Sequence, residues 1–506
     1  MNQIPTPNID ALAYSGVILH NYYTLHVCSP SRGALLTGMH PIHLGNLLGS
    51  MTPSGLPLAF KLLPEYLKGD LGYATHIMGK WHLGAHRSMY TPIFRGFDSH
   101  VGFWHGQEDY FNHTSRAEHK GSRGYDFRRD MNISFSDDGK YVTDIITKES
   151  IKIIQNHNSA RPLFLLVSHA AVHTPVQAHV SVTEQFSYIN CSPAWHNKRQ
   201  VFAAQLKSLD ESVGHIVQVL QQEMMLENSI IVFSTDNGGA GDKYHGAVGS
   251  NFPLRGMKSG LFEGGIRGVG AVWSPLIQNQ ARISSEMMTI YDWLPTLYSA
   301  AGGQFTELPK MDGVDLWPAI SKQQVSPRKI ILHNSSSSKK FTELPKMDGV
   351  DLWPAISKQQ VSPRKIILHN SSSSKKVYAL RVQNYKMAKI THKGNRGFNF
   401  WYGIINDVPK DRCKTDPCEY ENLLGMNGTD IPPKMLRILD MLQATIQFSV
   451  VRKKDLRGHP TKWNDTWTNF LDYVDPKPRE AVIAENEERF RNPDLVEMDI
   501  QNAFLY

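Results

Sequence analysis

The chain has 506 residues, of which 41% are hydrophobic and 10% aromatic, with a formal net charge of +7. This excludes a disordered chain and suffices for a large core and more than one structural unit, while no apolar run is long enough to span a bilayer. The positive charge is spread along the chain rather than gathered in a block, which suits an anionic substrate and argues only weakly for nucleic acid.

In chain order, residues 1–10 carry neither the basic start nor the apolar core of a signal peptide. The run from Cys28 through Ser29, Pro30, Ser31 and Arg32 to Gly38 reads as a polar turn entering a helix, with Ser29 or Ser31 as its cap. Three segments then share one grammar, a short apolar β-prone run followed by a polar loop. Tyr73–Met78 leads into Gly79, Lys80, Trp81 and His82; Leu163–Ser168 leads into His169 and His173; Ile230–Ser234 leads into Thr235, Asp236, Asn237, Gly238 and Gly239. Continuous apolar runs of this kind suit buried parallel strands. Helical spacing lies between them, at Val142, Ile145, Ile146, Ile153 and Ile154, and again at Leu206, Leu209, Val213, Ile216, Val217 and Leu220. The alternation predicts an α/β fold, a mostly parallel sheet flanked by helices. Ligands of such sheets sit beyond the carboxyl ends of the strands, so the three polar loops should meet at one edge.

Residues 305–340 recur without a difference as residues 341–376. Repeat architectures need several copies that diverge, so two identical copies read as a recent duplication or an assembly artefact. One copy should pack into the fold and the other should be extruded. Residues 377–390 and 398–405 read as strands and 435–448 as a helix, which predicts a smaller α+β unit over 377–450. The charged residues 451–506 read as a partly disordered tail. Cys413 and Cys418 are close enough to close a small disulfide loop, whereas Cys28 and Cys191 have no obvious partner. N-x-S/T sequons at Asn112, Asn132, Asn190, Asn334, Asn370, Asn427 and Asn464 lean toward a secretory or lysosomal route.

By residue type alone, Cys28 reads more readily as a buried structural cysteine beside a helix cap than as a nucleophile at the positive end of a helix. Asp236 and Asn237 read as an Asx turn or as oxygen ligands for a hard cation. The wider pattern favours chemistry. Cys28, Pro30, Ser31, Arg32, Leu35, Leu36, Thr37 and Gly38 match every specified position of C-x-P-S-R-x-x-L-L-T-G, a signature that resembles the sulfatase family. Thr6–Leu12, Met78–Gly84, Val172–Pro175, Phe233–Gly239, Leu254–Lys258 and Glu263–Gly268 follow in the family's order. The likeness covers roughly residues 5–335 and is nearest to the arylsulfatases, the N-acetylgalactosamine-4-sulfatases among them.

The resemblance implies an alkaline-phosphatase-like fold and a sulfuric ester hydrolase acting on a sulfated sugar or an aryl sulfate. It implies that a formylglycine-generating enzyme oxidises Cys28 to formylglycine. One hydroxyl of the hydrated aldehyde then attacks sulfur, and the second drives sulfate out. It implies one Ca2+ ion, held by the modified Cys28 with Asp236 and Asn237. Arg32 would hold the formylglycine hydroxyl, and Lys80 and Lys258 would neutralise sulfate oxygens. His173 would protonate the leaving oxygen, and His82 would take a proton from the second hydroxyl. Asn112, Asn132, Asn190 and Asn427 would be glycosylated, and the family location is lysosomal or secreted.

The family also begins with a strand ending in two metal-binding aspartates. No such pair precedes Cys28 here, and the adjacent Asp137 and Asp138 read as turn residues. The expectation is therefore a chain short at its N-terminus, weak in metal binding and without turnover as it stands. Two other readings stay open: a phosphoester hydrolase of the same superfold, and a non-catalytic relative that binds sulfated glycans.

Overall fold

A computed structural model describes residues 4–44, 55–116, 123–189, 196–241 and 246–328, parts of 460–484, and three short strands between 367 and 389. Asn190, Asn334, Asn370, Asn427, Cys191, Cys413 and Cys418, the expected strand at 398–405 and the expected helix at 435–448 lie outside the described residues, as does most of the second repeat copy.

The predicted alternation is present. Among the described residues, eleven strands belong to the main unit: β1 (Val17–Tyr23), β2 (Ala74–Lys80), β3 (Ser99–Phe103), β4 (Thr114–Arg116), β5 (Arg123–Tyr125), β6 (Phe127–Arg129), β7 (Asn132–Ile133), β8 (Leu163–Ser168), β9 (Ile231–Ser234), β10 (Gly270–Trp273) and β11 (Arg282–Thr289). The two apolar patterns between them fold as helices Val142–Gln155 and His196–Gln222. The first turns its apolar face toward β2, β3 and β8, and the second turns its apolar face toward a cavity.

The sheet is mixed rather than mostly parallel, and it is divided. One part has the order β7-β6-β3-β2-β8 and the other β11-β1-β10-β9. β2 pairs in parallel with both β3 and β8, and β1 pairs in parallel with β11. β10 runs antiparallel to β1 and to β9. Packing between β2 and β8 is so close that Gly79 admits no side chain: its φ is +112°, and a Cβ there would lie 2.0 Å from the Ser168 carbonyl oxygen.

Among the described residues, β8 and β9 each end a sheet with one open edge. Both border one cavity, which Leu206, Leu209, Val213 and Ile216 of the long helix also line. The consequence is visible in burial. Leu163 to Val167 and Ile231 to Phe233, apolar runs that suit a strand covered on both sides, are only half-buried. By contrast Trp81, Trp104, Phe97, Phe103 and Phe127 are almost fully enclosed around β2, β3 and β6. Each such side chain contributes about 1.5–3 kcal/mol of burial.

The first repeat copy packs into this unit. Leu316, Ala319 and Ile320 are buried beside Trp293 and Tyr291, and Arg328 forms a buried ion pair with Asp292. Of the second copy, Ile367–Leu368 (β12) pairs with Tyr378–Val382 (β13), which pairs with Tyr385–Lys389 (β14). The segment expected as a loose tail is in part docked. Trp467 is buried and its ring lies 4.5 Å from that of His105, while Arg87 donates to the carbonyls of Leu471 and Asp475.

Candidate active site

Cys28 is the first residue of the helix Cys28–Thr37, and Gly38 closes that helix in the left-handed conformation at φ +67°. The cap differs from expectation. Val27 occupies the N-cap and makes no side-chain cap bond. Ser31 Oγ instead accepts from the Leu25 N–H at 3.0 Å, and Ser29 Oγ is buried without a partner. The Cys28 thiol is free and buried and lies at the positive end of the helix. Burial alone would push its pKa up. Lys80, Lys258 and His82 outweigh burial and hold it well below the ordinary thiol value.

All eight residues expected at the site, Cys28, Arg32, Lys80, His82, His173, Asp236, Asn237 and Lys258, line one cavity. They arrive from the ends of different elements. Lys80 ends β2, His82 follows it, His173 follows β8, and Asp236 and Asn237 follow β9. Lys258 is held by its backbone N–H, which donates to the Gly239 carbonyl at 3.0 Å. The strand ends therefore converge as the α/β reading requires.

Arg32 ties these ends together. Its Nε donates to Asp236 Oδ2 at 3.0 Å, and its Nη1 donates to Ser168 Oγ at 2.6 Å and to the Lys80 carbonyl at 3.1 Å. Ser168 Oγ donates to the same Lys80 carbonyl at 2.8 Å. One guanidinium thus fixes the ends of β2, β8 and β9 against the Cys28 helix. Ser168 escapes a reading of the sequence, because a strand-terminal serine carries no signal beyond its position.

Burial drives the Lys80 ammonium down to about 8, with Cys28 and Asp236 acting in the opposite sense. Asp236 is held far below the usual carboxylate range: burial would raise it, but Arg32, Lys80 and Lys258 prevail. His82 sits at φ +61°, and burial lowers its pKa. His173 is lowered further, by burial and then by Lys258 and Lys80. Its Nδ1 lies 2.7 Å from the Thr174 carbonyl. A carbonyl only accepts, so Nδ1 carries the hydrogen and Nε2 presents its lone pair. The His173 carbonyl is held in turn by the Tyr110 hydroxyl and the Gln205 amide. His169, left unassigned from sequence, is half-buried, with Nε2 3.0 Å from Ser212 Oγ.

The donor set for a hard dication is incomplete. Asn237 Oδ1 is buried with no hydrogen-bond partner, which fits a cation ligand, and Asp236 adds a carboxylate. Among the described residues, however, no group of three or more His, Cys, Asp or Glu gathers as a metal would require. Calcium takes about 6–8 oxygens, and Arg32, Lys80 and Lys258 crowd the two on offer. The described residues do not by themselves fit the ion. Asp137 belongs elsewhere: its carboxylate accepts from Arg129 and Ser134 beneath a turn.

A family model for sulfatases matches residues 2–303. The chain belongs to the sulfatase family. It is 41% identical over 338 residues to arylsulfatase J of Mus musculus, an alignment covering 66% of this chain and 54% of that protein. It is 30% identical over 348 residues to N-acetylgalactosamine-6-sulfatase of Canis lupus familiaris, covering 66% and 64%. This sulfatase thus spans less than two thirds of the length of either relative. Its fold is alkaline-phosphatase-like, as in the crystal structure of Ps i-CgsB in complex with a neocarrahexaose, with a TM-score of 0.62, 23% identity, and coverage of 95% and 94% of the two chains.

Proposed function

We propose that this sulfatase is built to cleave a sulfate ester on a sugar, an N-acetylgalactosamine sulfate or a related glycosaminoglycan unit, with Cys28 converted to formylglycine. The supporting observation is the setting of Cys28: a free, buried thiol at a helix start, facing Lys80, Lys258 and His82. When present, the aldehyde hydrate supplies one hydroxyl to attack sulfur and another to expel sulfate. Lys80 and Lys258 bind the sulfate oxygens and take up their charge in a water-poor pocket. Arg32 holds the strand ends in register and keeps Asp236 ionised. The neutral Nε2 of His173 binds a proton once an anion offsets Lys258 and Lys80, and then delivers it to the leaving oxygen. His82, whose side chain is bonded to Cys28, receives the proton given up on that side. The partners are a sulfated carbohydrate and a formylglycine-generating enzyme, along a lysosomal or secretory route.

Asn112 and Asn132 are exposed, as glycosylation requires; Asn112 Oδ1 accepts from Thr114 Oγ1 at 2.6 Å, while a glycan would attach at the other amide atom, Nδ2. Among the described residues, no helix is long and apolar enough to cross a membrane. Because the described donors fall short of a Ca2+ shell, no step is assigned to a metal, and the 506-residue chain is expected to bind sulfate without appreciable turnover.

The test is to co-express the chain with a formylglycine-generating enzyme, map the Cys28 peptide by mass spectrometry, and measure sulfate binding and aryl sulfate hydrolysis. Formylglycine at Cys28 with sulfate binding supports the reading. An unmodified Cys28 with sulfate affinity retained would favour the glycan-binding relative, and an unmodified Cys28 with no sulfate affinity would overturn the reading and favour the phosphoester hydrolase. Rapid hydrolysis would refute the expected lack of turnover alone.

A further inference from the structure

Arg116 and Arg123 stand directly opposite each other across the β4–β5 hairpin. Both are exposed, and among the described residues neither has an ion-pair or hydrogen-bond partner. Like charges directly opposite weaken a strand pair, and this pair has only three residues on each side to offset the repulsion. A hairpin whose tips repel is otherwise an odd choice beside an active-site cavity, and these two arginines line the same cavity as Cys28.

The hairpin is fixed to the wall of that cavity. Asp109 N–H donates to the Thr114 carbonyl at 3.0 Å, Ser115 Oγ donates to the Gln107 carbonyl at 2.5 Å, and Trp467 Nε1 donates to the Ser115 carbonyl at 3.1 Å. The neighbouring residue Gly106 touches His82, since a Cβ there would lie 2.5 Å from His82 Nε2. Two links, Gly106–Gln107 and Ser115, therefore connect His82 to the arginine pair. The nearby carboxylates are already engaged: Asp126 by His105 and Arg128, Asp109 by Gln177, Glu108 by His113. Among the described residues, none of these carboxylates forms an ion pair with Arg116 or Arg123.

We propose that Arg116 and Arg123 form a subsite for a second anionic group, a sulfate ester or a carboxylate on a sugar next to the one whose sulfate enters the Cys28 pocket. The preferred ligand is then a polyanionic oligosaccharide rather than an isolated sulfate ester. This rests on the reading of the Cys28 pocket as a sulfate site. Two neighbouring guanidinium groups bind such oxyanions through paired N–H bonds, and an anion between them removes the cross-strand repulsion.

The test is equilibrium binding to the full chain, which needs no turnover. The probes are N-acetylgalactosamine 4-sulfate and a chondroitin 4-sulfate tetrasaccharide, measured with the wild type, with the double variant R116Q/R123Q, and with K80M. The wild type should bind the tetrasaccharide about tenfold more tightly than the monosaccharide, a difference of roughly 1.4 kcal/mol. The double variant should lose that preference and keep its monosaccharide affinity, while K80M should lose the monosaccharide. The wild-type preference should also shrink as salt rises. A double variant that keeps the preference, or a wild type that has none, overturns the subsite and leaves the sulfate pocket standing. Failure of the wild type to bind either probe overturns both. The side chains of Arg116 and Arg123 are exposed, so the double variant should unfold at or slightly above the wild-type temperature.

Discussion

Two buried clusters of charge lie in the same unit and follow opposite rules. In one, Asp126 accepts from the backbone N–H and Nδ1 of His105 at 2.9 and 2.8 Å and from Arg128 at 3.1 Å. Arg128 also lies over the Trp104 ring at 3.8 Å, and Glu108 meets His113 at 3.1 Å. Charges there are matched, and the atoms left buried without a partner are Glu108 Oε2 and Trp104 Nε1. In the other cluster, Arg32, Lys80 and Lys258 face Cys28 and share the single carboxylate of Asp236, while Ser29 Oγ, His82 Nδ1 and Asn237 Oδ1 are buried and unbonded. Each such orphan costs about 1–3 kcal/mol. A matched cluster holds the fold together; an unmatched one is tolerable where a ligand completes it.

The largest expected effect breaks the matched cluster. Asp126→Asn removes the counter-charge of a fully buried Arg128 and should cost about 3–5 kcal/mol in urea unfolding. The pH dependence has a definite sign. His105 and Arg128 pull the Asp126 carboxyl below its ordinary value against the effect of burial. Its contribution is therefore present above the unfolded-state pKa, near 3.9, and is lost as pH falls through the lower folded value. An unfolding midpoint within error of the wild type would show that the cluster carries no stability and that the contrast is false.

The unmatched cluster was the more legible of the two in sequence, for a physical reason. Chemistry of the kind proposed at Cys28 would need specified neighbours; Arg32, Lys80, His82, His173, Asp236, Asn237 and Lys258 stand in long motifs, and the structure brings all of them to one cavity. The matched cluster leaves no such trace, because His105, Asp126 and Arg128 need only meet in space. The strand runs were readable because buried strands are continuously apolar. That β8 and β9 would each border a cavity was not, since pairing depends on which strands are adjacent and not on their composition. Arg32 shows the same limit. Its motif marks it out, but nothing in the motif tells that its bonds run to Asp236, Ser168 and the Lys80 carbonyl.

Next in size, Lys80→Met should move stability the other way. The wild-type ammonium is buried and lowered to about 8, so charging it in the fold costs roughly 1–3 kcal/mol at neutral pH. The variant should gain about that amount. Between pH 8 and the unfolded value near 10.4, the unfolded chain holds a proton that the folded chain has released. Wild-type stability should rise with pH across that window, and the variant should not follow it. A destabilised K80M would mean that Lys80 is already compensated, contrary to the contrast drawn here.

Sulfate should supply the missing counter-charge. Added inorganic sulfate should raise the unfolding temperature of the wild type in proportion to its occupancy, while K80M should respond little. The gain should fade as pH rises through about 8, where Lys80 gives up its proton. A sulfate effect equal in both proteins would place the anion elsewhere.

The smallest effect tests whether Arg32 positions or binds. Ser168→Ala removes the bond from Arg32 Nη1 at 2.6 Å and the bond to the Lys80 carbonyl at 2.8 Å. It leaves every charge in place. Stability should fall by about 0.5–1.5 kcal/mol. If Arg32 acts by holding the ends of β2, β8 and β9 in register, sulfate affinity should also fall, although Ser168 contacts no ligand in this scheme, and Ser168→Thr should restore part of it. If sulfate affinity is untouched while stability drops, Arg32 is braced well enough by Asp236 and the Lys80 carbonyl. The register of the strand ends would then be set by the sheet, with Arg32 reporting on it rather than enforcing it.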